Sequence, residues 1–233
     1  MGSKTEIFLN KYRELESIIS TEYNLSNSES PVYFISRKPE YRSIKAELDY
    51  CREVRNLLSH NPKLNKRYAV EPNEEMIALL EQTIEKVRNP KRARNIFIPR
   101  NKVCCRSMDD YVYPTMIEMR DNVYTHIPIL EDDVVVGVFS ENTLLSYLID
   151  DEIVSIDENV KFSDIAKYLP MDKHTAESFR FVSQNMLLSE VDDIFAEALK
   201  NVYRIGLIFV TNSGKSTEKL LGIISAWDVA GND

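Results

Sequence analysis

An internal repeat constrains the fold of this chain more than any other feature of its sequence. The stretch NVYTHIPILEDDVVVGVFSENTLL (122–145) aligns with NVYRIGLIFVTNSGKSTEKLLGIISAWDVA (201–230). The NVY triplets stand 79 residues apart and the Gly and Ser of GVFS and GIIS stand 85 apart, so six extra residues fall in a turn, where insertions are tolerated. β-branched runs bounded by turn residues predict strands, and each copy is therefore predicted to run helix, strand, turn, strand, short helix. Two such copies can stack their sheets about a pseudo-twofold axis, which gives an α+β chain.

The region before the repeat has helical rather than strand periodicity. Apolar residues recur at helical spacing in TEIFLNKYRELESII (5–19), YRSIKAELDYCREVRNLLSH (41–60) and NEEMIALLEQTIEKV (73–87), where Asn73 is a predicted N-cap. Proline and a run of charges then indicate a linker. We predict an all-helical domain over 1–88, a basic linker over 89–100 and a repeat region over 101–233, with copies at about 101–152 and 160–231.

Charge divides the chain in the same way. The protein carries a net charge of −8, yet its first hundred residues hold 18 lysines and arginines against 14 acidic residues. The basic residues concentrate in NPKLNKR (61–67) and RNPKRAR (88–94). Stretches of this kind are commonly solvated faces or linkers, and contact with nucleic acid is the narrower alternative.

Composition also sets expectations about compartment and cofactors. No apolar run approaches the ~18–20 residues of a membrane span, and the charged N-terminus lacks the apolar core of a signal peptide. The three cysteines have no metal-ligand spacing and are predicted to be reduced thiols. We therefore expect a cytoplasmic protein that has no metal site and does not contact a membrane.

An arginine interrupts the apolar face of the second predicted helix. With ~100° per residue, the positions of Ile44, Leu48, Cys51, Val54 and Leu58 form an apolar stripe, and Arg55 falls inside it. A guanidinium there needs a buried carboxylate, a subunit interface or an anionic ligand. Carboxylates on the same helix lie elsewhere on the wheel, so Arg55 is a candidate functional residue.

The repeat resembles a CBS pair, the tandem module named after cystathionine β-synthase, over about residues 96–231. GIISAWD supplies Gly222, Ser225 and Asp228, which match the family pattern at the end of the second strand. The first copy keeps the glycine and Ser140 but has Thr143 where the aspartate belongs. The start of HIPIL, at Ile127, is similar to the apolar-proline strand start of the family.

The CBS resemblance implies that the cleft between the copies binds an adenine nucleotide or a related ligand. Asp228 would accept hydrogen bonds from ribose hydroxyls, and Ser225 would lie near a phosphate. Ser140 and Ile127 are the corresponding candidates of the first copy, which Thr143 makes the degenerate site. AMP, ADP, ATP, a cyclic dinucleotide and S-adenosylmethionine all remain open. The alternative is that Ser225 and Asp228 only cap the last helix.

The stretch RNLLSH resembles the signature of the HEPN superfamily (higher eukaryotes and prokaryotes nucleotide-binding) through Arg55, Asn56 and His60. Many members are metal-independent ribonucleases that act as dimers, so the resemblance implies that the arginine stabilises phosphate charge and the histidine transfers a proton. The alternatives are that the helical domain only dimerises or docks a partner protein, or that neither site is used. We expect a homodimer, and we expect His126 and His174 to be structural.

Overall fold

The computed structural model describes residues 3–26, 30–60, 68, 70–150, 156–200 and 204–231. It divides into two compact units. The helical unit contains residues 1–91 with 187–190, and the repeat unit contains 92–186 and 191–233. Within the described residues, no helix has both the length and the apolar character needed to cross a bilayer.

The helical unit is built from short and medium helices whose starts are capped locally. Ser3 and Glu6 form a capping box at the first helix, and the Asn73 side chain accepts the Met76 N–H at 2.8 Å, as the sequence predicts. A 3₁₀ turn over Pro39–Ile44 leads into the third helix. The helices are α1 (Lys4–Tyr23), α2 (Pro31–Ser36), α3 (Lys45–His60) and α4 (Glu74–Arg88).

The core of the helical unit confirms the apolar stripe of α3 and corrects that of α1. All five stripe residues, from Ile44 to Leu58, are buried. In α1 the helical spacing of the sequence predicts an apolar face that begins at Ile7, but Ile7 is exposed and the buried face runs through Phe8, Tyr12, Leu15 and Ile19. Phe8 occupies the buried position because it stands four residues before Tyr12 and therefore shares its side of the helix.

The repeat unit confirms the predicted order of elements in both copies. A short strand, β1 (Ile98–Pro99), precedes the first copy although it lies in the stretch expected to be a linker. The first copy consists of α5 (Val112–Asn122), β2 (His126–Glu131), β3 (Val134–Ser140) and α6 (Glu141–Asp150). The second copy consists of β4 (Ser178–Ser183), α7 (Leu188–Lys200), β5 (Ile205–Thr211), β6 (Gly222–Ile224) and α8 (Ala226–Ala230).

Two sheets follow from this arrangement. One pairs β2 with β3 antiparallel, and the other has the order β1-β6-β5-β4, in which β4 runs parallel to β5. The sequence analysis did not predict β4. In the first copy its place is taken by a single parallel bridge between Arg106 and Ile129. A core of apolar side chains from both copies joins the sheets: Leu130, Val135, Val138, Phe179, Leu207, Phe209 and Leu220.

The segment ahead of each copy pairs with the second strand of the other copy. Ile98 pairs with Ile223 of β6, and the Val138 N–H of β3 donates to the Leu169 carbonyl at 2.8 Å. Both contacts bring a backbone carbonyl group close to a glycine. A Cβ at Gly222 would lie 2.3 Å from the Ile98 carbonyl oxygen, and one at Gly137 would lie 2.8 Å from the Leu169 carbonyl oxygen. The two aligned glycines are therefore required by the exchange of segments.

Candidate functional site

Both copies place a serine where the second strand ends and the next helix begins. Ser225 is the N-cap of α8, and the Asp228 carboxylate accepts its N–H at 2.7 Å and its hydroxyl at 2.6 Å. In the first copy Thr143 replaces the aspartate: its hydroxyl accepts the Ser140 N–H at 3.1 Å, and its own N–H donates to Ser140 Oγ at 3.3 Å. The two junctions are thus capped in the same way by different side chains.

The capping contacts bear directly on the predicted ligand residues of the second copy. Ser225 and Asp228 make with each other the bonds that the sequence analysis gave as the alternative to ligand binding. A ribose hydroxyl would share the Asp228 carboxylate with the Ser225 cap. Their role in ligand binding stays a prediction.

A cavity of about 380 Å³ opens at the junction of the first copy. Its volume is in the range of ~300–1,000 Å³ that is typical of small-molecule sites. Most of its wall is apolar, with hydroxyl groups from Tyr124, Thr125 and Ser140 and opposite charges from Arg120 and Glu141. We call this cavity the repeat-one pocket; its lining residues are Met116, Met119, Arg120, Val123, Tyr124, Thr125, Phe139, Ser140, Glu141 and Leu144.

The other candidate of the first copy lies in the core. Ile127 is completely buried, pairs with Phe139 across the β2–β3 ladder and packs in the apolar cluster of this copy. Its side chain is not part of the wall of the repeat-one pocket. Of the two candidates of this copy, the structure brings only Ser140 to the pocket.

A buried carboxylate stands behind the pocket wall. Glu177 Oε1 accepts the Ser140 hydroxyl at 2.5 Å and lies 3.0 Å from His174 Nδ1, and Glu177 Oε2 lies 2.7 Å from His126 Nε2. The three titratable side chains are at most 5% exposed. We call these four residues the Glu177 cluster. His126 in turn contacts Thr125, whose Oγ1 lies 2.7 Å from His126 Nδ1.

The cluster keeps its carboxylate ionised. Burial acts to raise the pKa of Glu177, but the hydrogen bonds from His126, His174 and Ser140 outweigh it and hold that pKa well below its usual range. Both imidazole rings also make T-shaped contacts with Phe179, with ring centroids 5.8 Å (His126) and 5.0 Å (His174) from that of the phenyl ring. The site therefore combines a buried negative charge with fixed donors.

His126 and His174, predicted to be structural, both contact Glu177, a residue that was not predicted to belong to the site. The sequence does indicate that His126 lies near Ser140, because the two residues stand at the two ends of the β2–β3 hairpin and are cross-strand partners. His174 and Glu177 are three residues apart, which is also visible in the sequence. The link between Ser140 and Glu177 spans 37 residues, and no local pattern indicates it.

The helical unit holds a second cavity, of about 400 Å³, around the HEPN-like residues. Arg55 and Asn56 line it together with Arg52, whose buried Nε has no hydrogen-bond partner among the described residues. Two guanidinium groups three residues apart on one helix face favour an anion between them. We call this cavity the helical-unit pocket; it is lined by Tyr12, Glu16, Ser30, Tyr33, Arg52, Arg55 and Asn56.

The partner that Arg55 requires comes from another helix. Glu16 of α1 lies 3.8 Å from the Arg55 guanidinium, which also stands 5.6 Å from the Tyr12 ring centroid and donates to Asn56 Oδ1 at 3.1 Å. The Arg55 side chain is 38% exposed, so it lies at the edge of the core. The side chain of His60 and the basic stretch 61–67 lie outside the described residues.

Across the ranges that the structure describes, no three or more His, Cys, Asp or Glu side chains are grouped so that they could hold a metal ion. The Glu177 cluster directs its histidine nitrogens at a carboxylate rather than at a common point.

No protein-family model matches this chain, and no curated protein does. The similar solved structures include CBS-domain pair proteins. Hypoxic Response Protein I with two coordinated zinc ions is 17% identical over 61% of this chain and 99% of its own, with a TM-score of 0.44. CBSX2 in complex with AMP is 17% identical over 60% and 94%, with a TM-score of 0.43. CbpB in complex with c-di-AMP is 12% identical over 65% and 89%, with a TM-score of 0.47.

Proposed function

We propose that the repeat unit is a CBS-pair-type regulatory sensor that binds an adenine nucleotide in the repeat-one pocket. The observation that carries this proposal is the pocket at the Ser140 junction, where an apolar wall meets three hydroxyl groups and one arginine. Met116, Met119 and Phe139 offer flat apolar contact for a base, and Arg120 offers a charge for a phosphate. The aligned Ser225–Asp228 junction is the second place to test.

Thermal unfolding with AMP, ADP, ATP, c-di-AMP and S-adenosylmethionine tests the proposal. A ligand present at 100 times its dissociation constant stabilises the native state by about 2.7 kcal/mol and raises the midpoint. Leu144→Trp should fill the repeat-one pocket and abolish the shift, whereas Leu145→Trp, at the next, exposed position of α6, should keep it. A shift that survives Leu144→Trp but disappears in Asp228→Ala would move the site to the second copy.

We further propose, as a second function, that the helical unit is a HEPN-like metal-independent ribonuclease. The supporting observation is that Arg55, Asn56 and Arg52 share one pocket. RNA carries its own nucleophile, the 2′-hydroxyl, so the site needs an arginine to stabilise phosphate charge and His60 to transfer a proton.

Cleavage of single-stranded RNA in the presence of EDTA tests this second function. Arg55→Ala and His60→Ala should abolish cleavage, whereas Arg13→Ala, which removes an exposed arginine from α1, should not. An uncleaved substrate, with wild-type protein that still binds nucleotide, would leave the helical unit as a dimerisation or partner-docking domain. Sedimentation equilibrium with and without nucleotide then tests the expected homodimer and its coupling to the ligand.

A further inference from the structure

The directions of the hydrogen bonds in the Glu177 cluster follow from one fact about carboxylates. An ionised carboxylate only accepts hydrogen bonds. The Ser140 hydroxyl, 2.5 Å from Glu177 Oε1, must therefore donate its single proton away from the pocket. The Thr143 N–H occupies one lone pair of Ser140 Oγ at 3.3 Å. The Thr143 hydroxyl, also 3.3 Å from Ser140 Oγ, can donate its proton to the Val138 carbonyl at 3.4 Å, and this arrangement leaves the second lone pair of Ser140 Oγ for a ligand.

The hydrogen-bond directions continue from Glu177 through His126 to the Thr125 hydroxyl. His126 Nε2, 2.7 Å from Glu177 Oε2, must carry a proton. In the neutral ring Nδ1 is then an acceptor, and the Thr125 hydroxyl at 2.7 Å must donate to it. Thr125 and Ser140 both line the repeat-one pocket, and with a neutral His126 ring both have their protons committed to groups behind the wall.

We infer that Glu177 is a positioning residue that turns Thr125 and Ser140 into hydrogen-bond acceptors toward the pocket, so that this wall selects an uncharged donor group of the ligand over a phosphate. For a nucleotide, the donor group is a sugar hydroxyl or the amino group of adenine. The inference rests on the proposed function, because it concerns which part of the nucleotide meets this wall. The phosphate belongs at Arg120, the cationic residue of the lining.

The charges around Thr125 and Ser140 also favour a ligand orientation in which the phosphate lies away from these two hydroxyl groups. Glu177 places a buried negative charge one hydrogen bond behind Ser140, and Glu141 adds a carboxylate to the lining. A phosphate placed against Thr125 and Ser140 would face acceptor lone pairs and two carboxylates, whereas the side-chain donors of the lining are the Tyr124 hydroxyl and Arg120. A hydroxyl or amino group would instead complete the unused acceptor capacity of both oxygens.

The first test needs no ligand. Nitrogen-15 NMR of the full-length protein with labelled histidine, at pH 8, should show His126 protonated at Nε2 and unprotonated at Nδ1. In Glu177→Gln, whose amide offers one acceptor and one donor group, the His126 or Ser140 bond must change direction. An Nδ1-protonated His126 in the wild-type protein would overturn the inference, because Thr125 would then accept rather than donate.

The second test compares AMP with 2′-deoxy-AMP, 3′-deoxy-AMP and IMP, which remove the candidate donors one at a time. At least one analogue should bind wild-type protein about tenfold or more weakly, because it leaves an acceptor of the wall unpaired. In Thr125→Val or Ser140→Ala, the ratio of the dissociation constant of that analogue to the dissociation constant of AMP should be close to one. Ser213→Ala, which removes a hydroxyl bonded to the exposed Glu218 carboxylate at 2.6 Å, is the matched control and should keep it.

The outcomes separate this inference from the proposed function. Nucleotide binding with analogue ratios unchanged in both wall variants would overturn the inference and keep the sensor. Failure of every nucleotide to bind would refute the sensor and, with it, the selection by this wall, while the His126 tautomer would still decide whether Glu177 orients the two hydroxyl groups.

Discussion

The two copies of the repeat place a serine at the same junction and supply it with a carboxylate in different ways. In the second copy the carboxylate is Asp228, three residues along the chain on a half-buried helix turn. In the first copy it is Glu177, which comes from the segment leading into the second copy and is buried. The duplicated motif has therefore kept the serine–carboxylate contact while changing the origin of the carboxylate.

This difference shows how burial changes what one contact does. The Asp228 carboxylate serves a local cap at the surface, where water can replace a lost partner. The Glu177 carboxylate accepts hydrogen bonds from three buried residues at once, so its loss would remove an acceptor from all three. The first copy depends on the second for its junction, whereas the second is capped from within.

Removing each carboxylate in turn should give the largest difference in stability between the two copies. Glu177→Ala should lower the free energy of unfolding by roughly 3–5 kcal/mol, because it strands buried polar groups. Asp228→Ala should lower it by only about 1 kcal/mol, the usual worth of a cap. Urea denaturation of both variants measures the difference, and equal losses would show that the buried cluster contributes no more than a surface cap.

The aligned glycines allow a sharper comparison of the two copies with the same substitution. Gly222→Ala and Gly137→Ala should each lower the free energy of unfolding by about 1–3 kcal/mol, since a methyl group would meet a backbone carbonyl. Gly222→Ala should be the worse, because its Cβ would come 2.3 Å from the Ile98 oxygen against 2.8 Å from that of Leu169. Thermal unfolding of the pair checks the ranking, and the reverse order would contradict it.

Acid should act on the first copy through Glu177. The pKa of this residue is lowered in the folded protein, so between the two pKa values the unfolded chain binds the additional proton. Its stabilising contribution is therefore present above the unfolded value of 4.5 and is lost as the pH falls below it. The unfolding midpoint should drop less steeply below about pH 4.5 in Glu177→Gln than in the wild-type protein, when both are followed by circular dichroism.

Local and periodic features of the fold could be predicted from the sequence. The offset of 79 residues between the copies correctly predicts that β5 is the counterpart of β2, since these strands begin at His126 and Ile205. The buried stripe of α3 follows from the helical period. The parallel strand β4 and the pairing of β1 with β6 could not be predicted, because both depend on which distant segment fills a sheet edge.

The candidate site shows the same difference between local features, which the sequence predicts, and contacts between distant segments, which it does not. Ser140 was found because it belongs to the repeat, and the reciprocal caps were foreseen as the alternative for Ser225 and Asp228. The contact of Glu177 with Ser140 and that of Glu16 with Arg55 were missed, since each spans 37 or more residues. Side chains that meet only after folding leave no trace in the spacing of a single sequence.

The exchange of segments between the copies also has a consequence for the order of folding. During synthesis the β1 segment is made first but has no partner until β6 follows about 125 residues later. The second strand of the first copy likewise waits for Leu169. Pairings of long sequence separation make folding slow, because a long loop must close, at an entropic cost, before the contacts that stabilise it can form. The four-stranded sheet should therefore be completed only after β6 has left the ribosome, whereas the local β2–β3 hairpin does not depend on this step.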